Sequence, residues 1–137
     1  MRIPMAILAD EANVSQEGKL NVLGIFDRIA AAEFPVMHPR MVFAFRVEAA
    51  HGDGGRGFPV NVELLDPEGA VLFQAGGEMM APRVPAGEFT TSNQVFTLVG
   101  LQFPRAGLYR FVVTVGDAEP HETPFLVQSA ANDPMMN

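Results

Sequence analysis

The chain has no cysteine, no tryptophan, a single tyrosine and a single lysine. Without cysteine there are no disulfides, no thiolate metal sites and no cysteine nucleophiles. Nine basic residues stand against 16 acidic ones, a formal charge of −7. That balance argues against nucleic acid and against anionic membrane surfaces, because both demand clustered Lys and Arg. No segment approaches the roughly 18–20 apolar residues that cross a bilayer as a helix. The apolar start, Ile3 to Ala9, is short, broken by Pro4, and runs into Asp10 and Glu11. It reads as a first strand rather than a secretory signal, whose apolar region is longer and ends in a small-residue cleavage site. The expectation is a soluble, acidic, cytoplasmic protein that binds neither nucleic acid nor membrane. Arginine supplies all the basic residues but Lys19, and alanine, glycine and proline are abundant, a bias that suggests a GC-rich bacterial genome.

What is present is apolar surface: 48% of the 137 residues are hydrophobic, eleven of them phenylalanine. That length and content suit one domain with a core of its own. Period-two alternation dominates. Strands are expected at 3–9, 20–29, 41–49, 58–66, 70–75, 93–103, 108–115 and 121–127. Pro67-Glu68-Gly69 turns the fourth into the fifth. The glycine- and proline-rich stretch 76–88 reads as a loop. Residues 29–34, IAAAEF, are the best helical candidate, but Pro35 and Pro39 stop it within about two turns. About eight mostly antiparallel strands over residues 1–128, with a flexible tail at 129–137, predict an all-β sandwich. In PRAGLYRF, Gly107 and Tyr109 open an apolar alternation in the manner of the tyrosine corner of immunoglobulin-like sandwiches. Phe111 stands where antibody domains keep a cysteine, so the architecture is Ig-like without being of antibody type.

The stretch ADEANVSQEGKL, residues 9–20, looks at first like a ligand loop. If Gly18 takes the left-handed position of a three-residue turn, Gln16-Glu17-Gly18, then Val14 pairs with Leu20 and Ala12 with Val22. Asp10 and Glu11 then point to opposite faces, and Glu17 lies roughly 20 Å beyond Asp10 at the tip. Strand geometry scatters the three carboxylates, and no calcium loop forms. The same register sets Gly24 opposite Asp10, where a glycine permits a bulge or a close backbone approach.

Other chemistry is sparse. HGDGGRG, residues 51–57, has the spacing G-x-G-x-x-G, but a strand follows it where a dinucleotide site requires a helix. It reads as a hairpin loop with Asp53 and Arg56 as solvated tip charges. His38, His51 and His121 fall in or beside turns with no metal-ligand spacing. No G-x-S-x-G elbow exists. No catalytic, metal or cofactor-binding residue is assigned. The one binding candidate is GEMMAPRVP, residues 77–85: Met79 and Met80 beside Arg83 would suit an adaptable partner surface. The alternative is that both methionines cap the core.

The run ADEANVSQEGKLNVLGIFDRI, residues 9–29, resembles the N-terminal signature of a family of small uncharacterised bacterial proteins. Their pattern is an acidic A-D or C-D pair, a spacer, then G-K-L-N-x-x-G-x-F. A proline-flanked crossing, here FPVMHPRM at 34–41, and a closing G-x-Y strand, here Gly107 and Tyr109, follow. The resemblance implies an Ig-like sandwich of bacterial origin, with Gly18, Gly24, Gly107 and Tyr109 as structural residues. It implies no activity. Three functions are then expected, in this order. The first is a non-enzymatic module for protein interaction or self-association. The second is a ligand- or metal-binding protein or enzyme built on loops, with His38, His51, Asp53, Arg56 and His121 as its candidate groups. The third is a sheath- or capsid-like assembly protein.

Overall fold

The computed structural model describes residues 1–130. These form nine strands: β1 (Arg2–Val14), β2 (Leu20–Ile25), β3 (Arg28–Ala31), β4 (Val36–Ala50), β5 (Gly57–Leu65), β6 (Val71–Met80), β7 (Phe89–Phe103), β8 (Gly107–Val115) and β9 (His121–Ser129). One 3-10 turn, His51–Asp53, follows β4. The strands make two sheets, ordered β2-β1-β4-β7 and β3-β9-β8-β5-β6. Every pairing is antiparallel except β3 on β9. The result is a two-layer β-sandwich.

Alternation builds the core. Leu8, Phe43, Phe45 and Val47 of one sheet meet Val62, Leu64, Phe111, Val113 and Phe125 of the other. Phe43 and Phe111 stack across the layers with centroids 4.6 Å apart and planes 12° off parallel. Burying such a ring contributes about 1.5–3 kcal/mol. Tyr109 is fully buried, and its hydroxyl donates to the Arg105 carbonyl at 2.7 Å. That bond satisfies a polar group the core would otherwise strand. Gly107 beside it (φ +152°) faces Pro67, whose Cγ would lie 2.5 Å from any added Cβ.

The first hairpin has the expected register, with Val14 opposite Leu20, Ala12 opposite Val22 and Ala9 opposite Ile25. Gly18 turns it at φ +83°, and Gly24 meets Asp10 at φ +75°.

Several expectations need correction. Residues 20–29 are not one strand: β2 ends at Ile25, and β3 crosses to the other sheet. Strands therefore number nine among the described residues. The helical candidate 29–34 is instead the end of β3 followed by a bend. Five residues of the expected loop 76–88, from Gly76 to Met80, belong to β6, because β5 supplies their partners from Asn61 to Gly57. Residues 51–57 are no hairpin loop, since they carry the chain from one sheet to the other. The crossing 34–41 is mostly strand, with Val36 to Arg40 paired to β7. Of the expected tail, Ser129 ends β9, and residues 131–137 lie outside the described residues.

Candidate functional site

The site begins with a bend in β1. Continued straight, the register Ala9↔Val42 would carry Val14 to the level of Met37, about 30 Å along β4 from Arg46. Instead the tip of the β1–β2 arm reaches the level of Arg46. The Gly18 carbonyl accepts a hydrogen bond from Asn93 Nδ2 at 2.8 Å, and Asn93 is the strand partner of Arg46. The arm therefore folds back over the outer face of its own sheet, pivoting where Gly24 lies on Asp10. Beneath it, Ala12, Val42 and Ala44 form a second, smaller core with Ile7, Leu20, Val22 and Val95 against them. Val42 and Ala44 are fully buried although they face away from the main core.

Between the arm and the sheet lies an open cleft of about 720 Å³. Met5, Ile7, Leu20 and Val22 give it apolar walls; Arg46, Asn93, Thr90 and Thr91 give it polar ones. Arg46 Nη2 donates to Thr91 Oγ1 at 3.0 Å. No carboxylate among the described residues pairs with Arg46. Its Nε and the Oδ1 of Asn93 are both shielded from solvent and bonded to nothing. Such orphans are uncommon in folded proteins. The nearest carboxylates are engaged elsewhere. Glu48 takes the Arg2 guanidinium at 2.9 Å, and Glu17 lies 3.7 Å from Lys19 at the arm tip.

The sequence-derived candidates scatter. Alternation in β6 separates the methionines: Met79 packs half-buried against the core, and Met80 is 64% exposed. Arg83 is exposed and lines a smaller cavity of about 350 Å³ with His51, Gly54 and Val84. His38 and His51 stand at opposite ends of β4, about 40 Å apart. His51 Nδ1 is 2.6 Å from the Val84 carbonyl, and His38 packs on Phe26. His121 lines a separate surface depression with Arg2 and Glu119. Among the described residues no three His, Cys, Asp or Glu side chains are grouped to hold a metal. Asp53 is not a free tip charge. It accepts the Ala50 N–H at 2.9 Å, and that bond, helped by the Met1 α-amino group, holds its carboxyl below the usual range. Arg56 lies over the Phe58 ring, 5.2 Å from the centroid.

A further carboxylate, Asp66, is braced at the turn between β5 and β6. Asp66 Oδ1 accepts from Ala70 N at 2.9 Å and Glu68 N at 2.8 Å, and Oδ2 from Arg105 at 3.2 Å. The Ala70 bond above all, then Glu68 and Arg105, holds its carboxyl below the usual range. Glu11 is held down likewise by its hydrogen bonds to Arg40, at the bend of the arm. These groups brace turns and present no reactive pair.

The geometry thus defines a β-sandwich with an arm folded over one face and a cleft beneath the arm. A family described as a family of unknown function, DUF6941, matches residues 4–128, and the chain belongs to it. No curated protein matches the chain.

Proposed function

We propose that the protein is a non-enzymatic interaction module that associates with a second copy of itself through the free edge of β7. One observation carries this reading. β7 runs 15 residues, FTTSNQVFTLVGLQF, without a charge or a proline, and pairs only with β4. Natural edges are blunted with charges, prolines or bulges, because an unpaired ladder recruits other strands. An edge lacking charge and proline is a template for strand addition. Phe89 and Val99 on it are 66% and 74% exposed. The other free long edge, β6, leads through residues 81–88 into β7 and carries exposed Met80. Met80 and Arg83 therefore flank the proposed interface, while Met79 serves the core.

The finer identity belongs to the same proposal. The sandwich is of the immunoglobulin type: the Tyr109 corner and the β3–β9 parallel pair support it, and the Phe43–Phe111 stack stands in for the inter-sheet disulfide. GKLNVLGIF is the family's signature, and the setting is a bacterial cytoplasm.

Sedimentation across a concentration series tests the association. The wild type should dimerise, more tightly as salt screens the −7 charge on each copy. Thr97→Lys with Val99→Lys should weaken the dimer at least about tenfold, placing lysines where edges usually carry them. Met80→Asp should weaken it less. A monomer at every concentration sinks the reading.

A further inference from the structure

Two features of the sheet edge bear on how a second copy would sit. The first is apolar. β7 carries two exposed large apolar side chains, Phe89 and Val99. By alternation they share the outer face with Asn93 and Val95, the face over which the arm folds. An antiparallel partner strand that sets Phe89 opposite Val99 of a second copy, and the reverse, also sets Thr91 opposite Thr97 and Gln94 opposite itself. An aromatic facing a β-branched side chain is a favourable cross-strand pair. This one register makes two of them, one toward each end of the contact.

The second feature is charged. The arm tip lies over the same edge: Glu17, Gly18 and Lys19 share a cleft with Thr90, Thr91 and Asn93, and the Gly18 carbonyl accepts from Asn93 Nδ2. Glu17 and Lys19 are both exposed and sit 3.7 Å apart. The midpoint of Phe89 and Val99 is Gln94, next to the residue to which the tip is tied. In the register about Gln94, Asn93 lies opposite Val95 of the second copy and diagonal to its Asn93, roughly 7–8 Å away. The two arm tips are thereby brought together at the two-fold axis. Such an axis repeats every contact, and a tip that carries one charge of each sign is complementary to itself across it.

Resting on the self-association proposed above, we infer that two copies pair β7 antiparallel about Gln94, with Phe89 against Val99 and Lys19 against Glu17, each contact made twice. An ion pair as exposed as Glu17–Lys19 contributes little within one chain. Across the axis each lysine gains a second carboxylate and each carboxylate a second lysine. Charges so placed select register and partner more than they add affinity. The strand ladder supplies the affinity, and the two four-stranded sheets join into one continuous sheet.

Sedimentation of charge-reversed chains tests the tips, and cysteine cross-linking tests the register. Glu17→Lys and Lys19→Glu should each weaken the homodimer about tenfold, because four like charges then meet at the axis. Glu17→Lys reduces the net negative charge of each copy, so weakening there cannot come from overall repulsion. An equimolar mixture of the two variants should restore a dimer at least as tight as the wild type, since opposite tips then attract at every contact. The chain has no cysteine of its own, so Gln94→Cys should give a covalent dimer on mild oxidation. Thr97→Cys should not, because in this register it lies opposite Thr91 and roughly 20 Å from its counterpart. Restoration by the mixture, with cross-linking at position 94, carries the inference. A dimer indifferent to both reversals, a mixture no tighter than either variant alone, or no cross-link at position 94 overturns it and leaves β7 pairing in another register. A wild type that stays monomeric overturns the self-association reading as well, and leaves the edge to a strand of another protein.

Discussion

Gly18 and Gly24 both hold positive φ, at +83° and +75°, and replacing them should nevertheless cost different amounts. A Cβ at Gly18 meets nothing within 4 Å, so Gly18→Ala loses only the left-handed conformation, about 1–2 kcal/mol. At Gly24 the same atom would lie 2.5 Å from Asp10 Oδ2 and 3.0 Å from its Cγ. Gly24→Ala therefore adds a clash to the strain and should cost about 1–3 kcal/mol more. Adding Asp10→Ala should return most of the clash and none of the strain. Urea unfolding of the four chains checks this. If the double variant is no more stable than Gly24→Ala, the contact with Asp10 is not what demands glycine.

At the scale of elements, the hairpin register was legible because one left-handed glycine in a short turn fixes which residues face each other. The strand that Gly107 and Tyr109 open was legible for a similar reason: an apolar alternation after a glycine is a local pattern, and Tyr109, Phe111, Val113 and Val115 are all fully buried. The fold-back of the arm was not. Period-two alternation reports which side of a strand each residue occupies and says nothing of how the strand curves. MVFAF, residues 41–45, shows the difficulty: alternation sets Phe43 and Phe45 on one face and puts Val42 and Ala44 on the other, and does not tell what covers that second face. Both are fully buried, because the arm covers them. The switch of β3 to the second sheet was hidden because the 20–29 segment is apolar in its middle on both faces. The β6 boundary was missed because Gly76 and Gly77 look like punctuation, yet β5 pairs with both. Arg46 could be assigned to a face from alternation alone. That no carboxylate pairs with it among the described residues depends on distant Arg2 claiming Glu48, which no local pattern reveals.

For the whole molecule, the braced carboxylates set the response to acid. Glu11, Glu48, Asp53 and Asp66 all have folded-state values lowered by hydrogen bonds, from Arg40, Arg2, the Ala50 N–H and the Ala70 N–H respectively. A lowered folded value means that the unfolded chain binds protons first as pH falls. The stabilisation is complete above the ordinary carboxylate range near pH 4, and it is lost as pH falls through the folded values. Stability should thus be flat around neutrality and decline below about pH 4–5. Asp66→Asn should be less stable than the wild type at pH 7, with the gap closing toward pH 2. Urea midpoints against pH measure it, and a gap of constant size would show that the Asp66 charge contributes nothing.

The single lysine sits at the arm tip, with its side chain 73% exposed. A protease that cuts only after lysine therefore has one target in the chain, the bond to Leu20, and it lies where the arm touches β7 through Gly18. Cleavage there should release two fragments of very unequal length that stay together under native conditions, since β1 remains paired with β4 and β2 with β1. Intact mass before and after denaturation would show this.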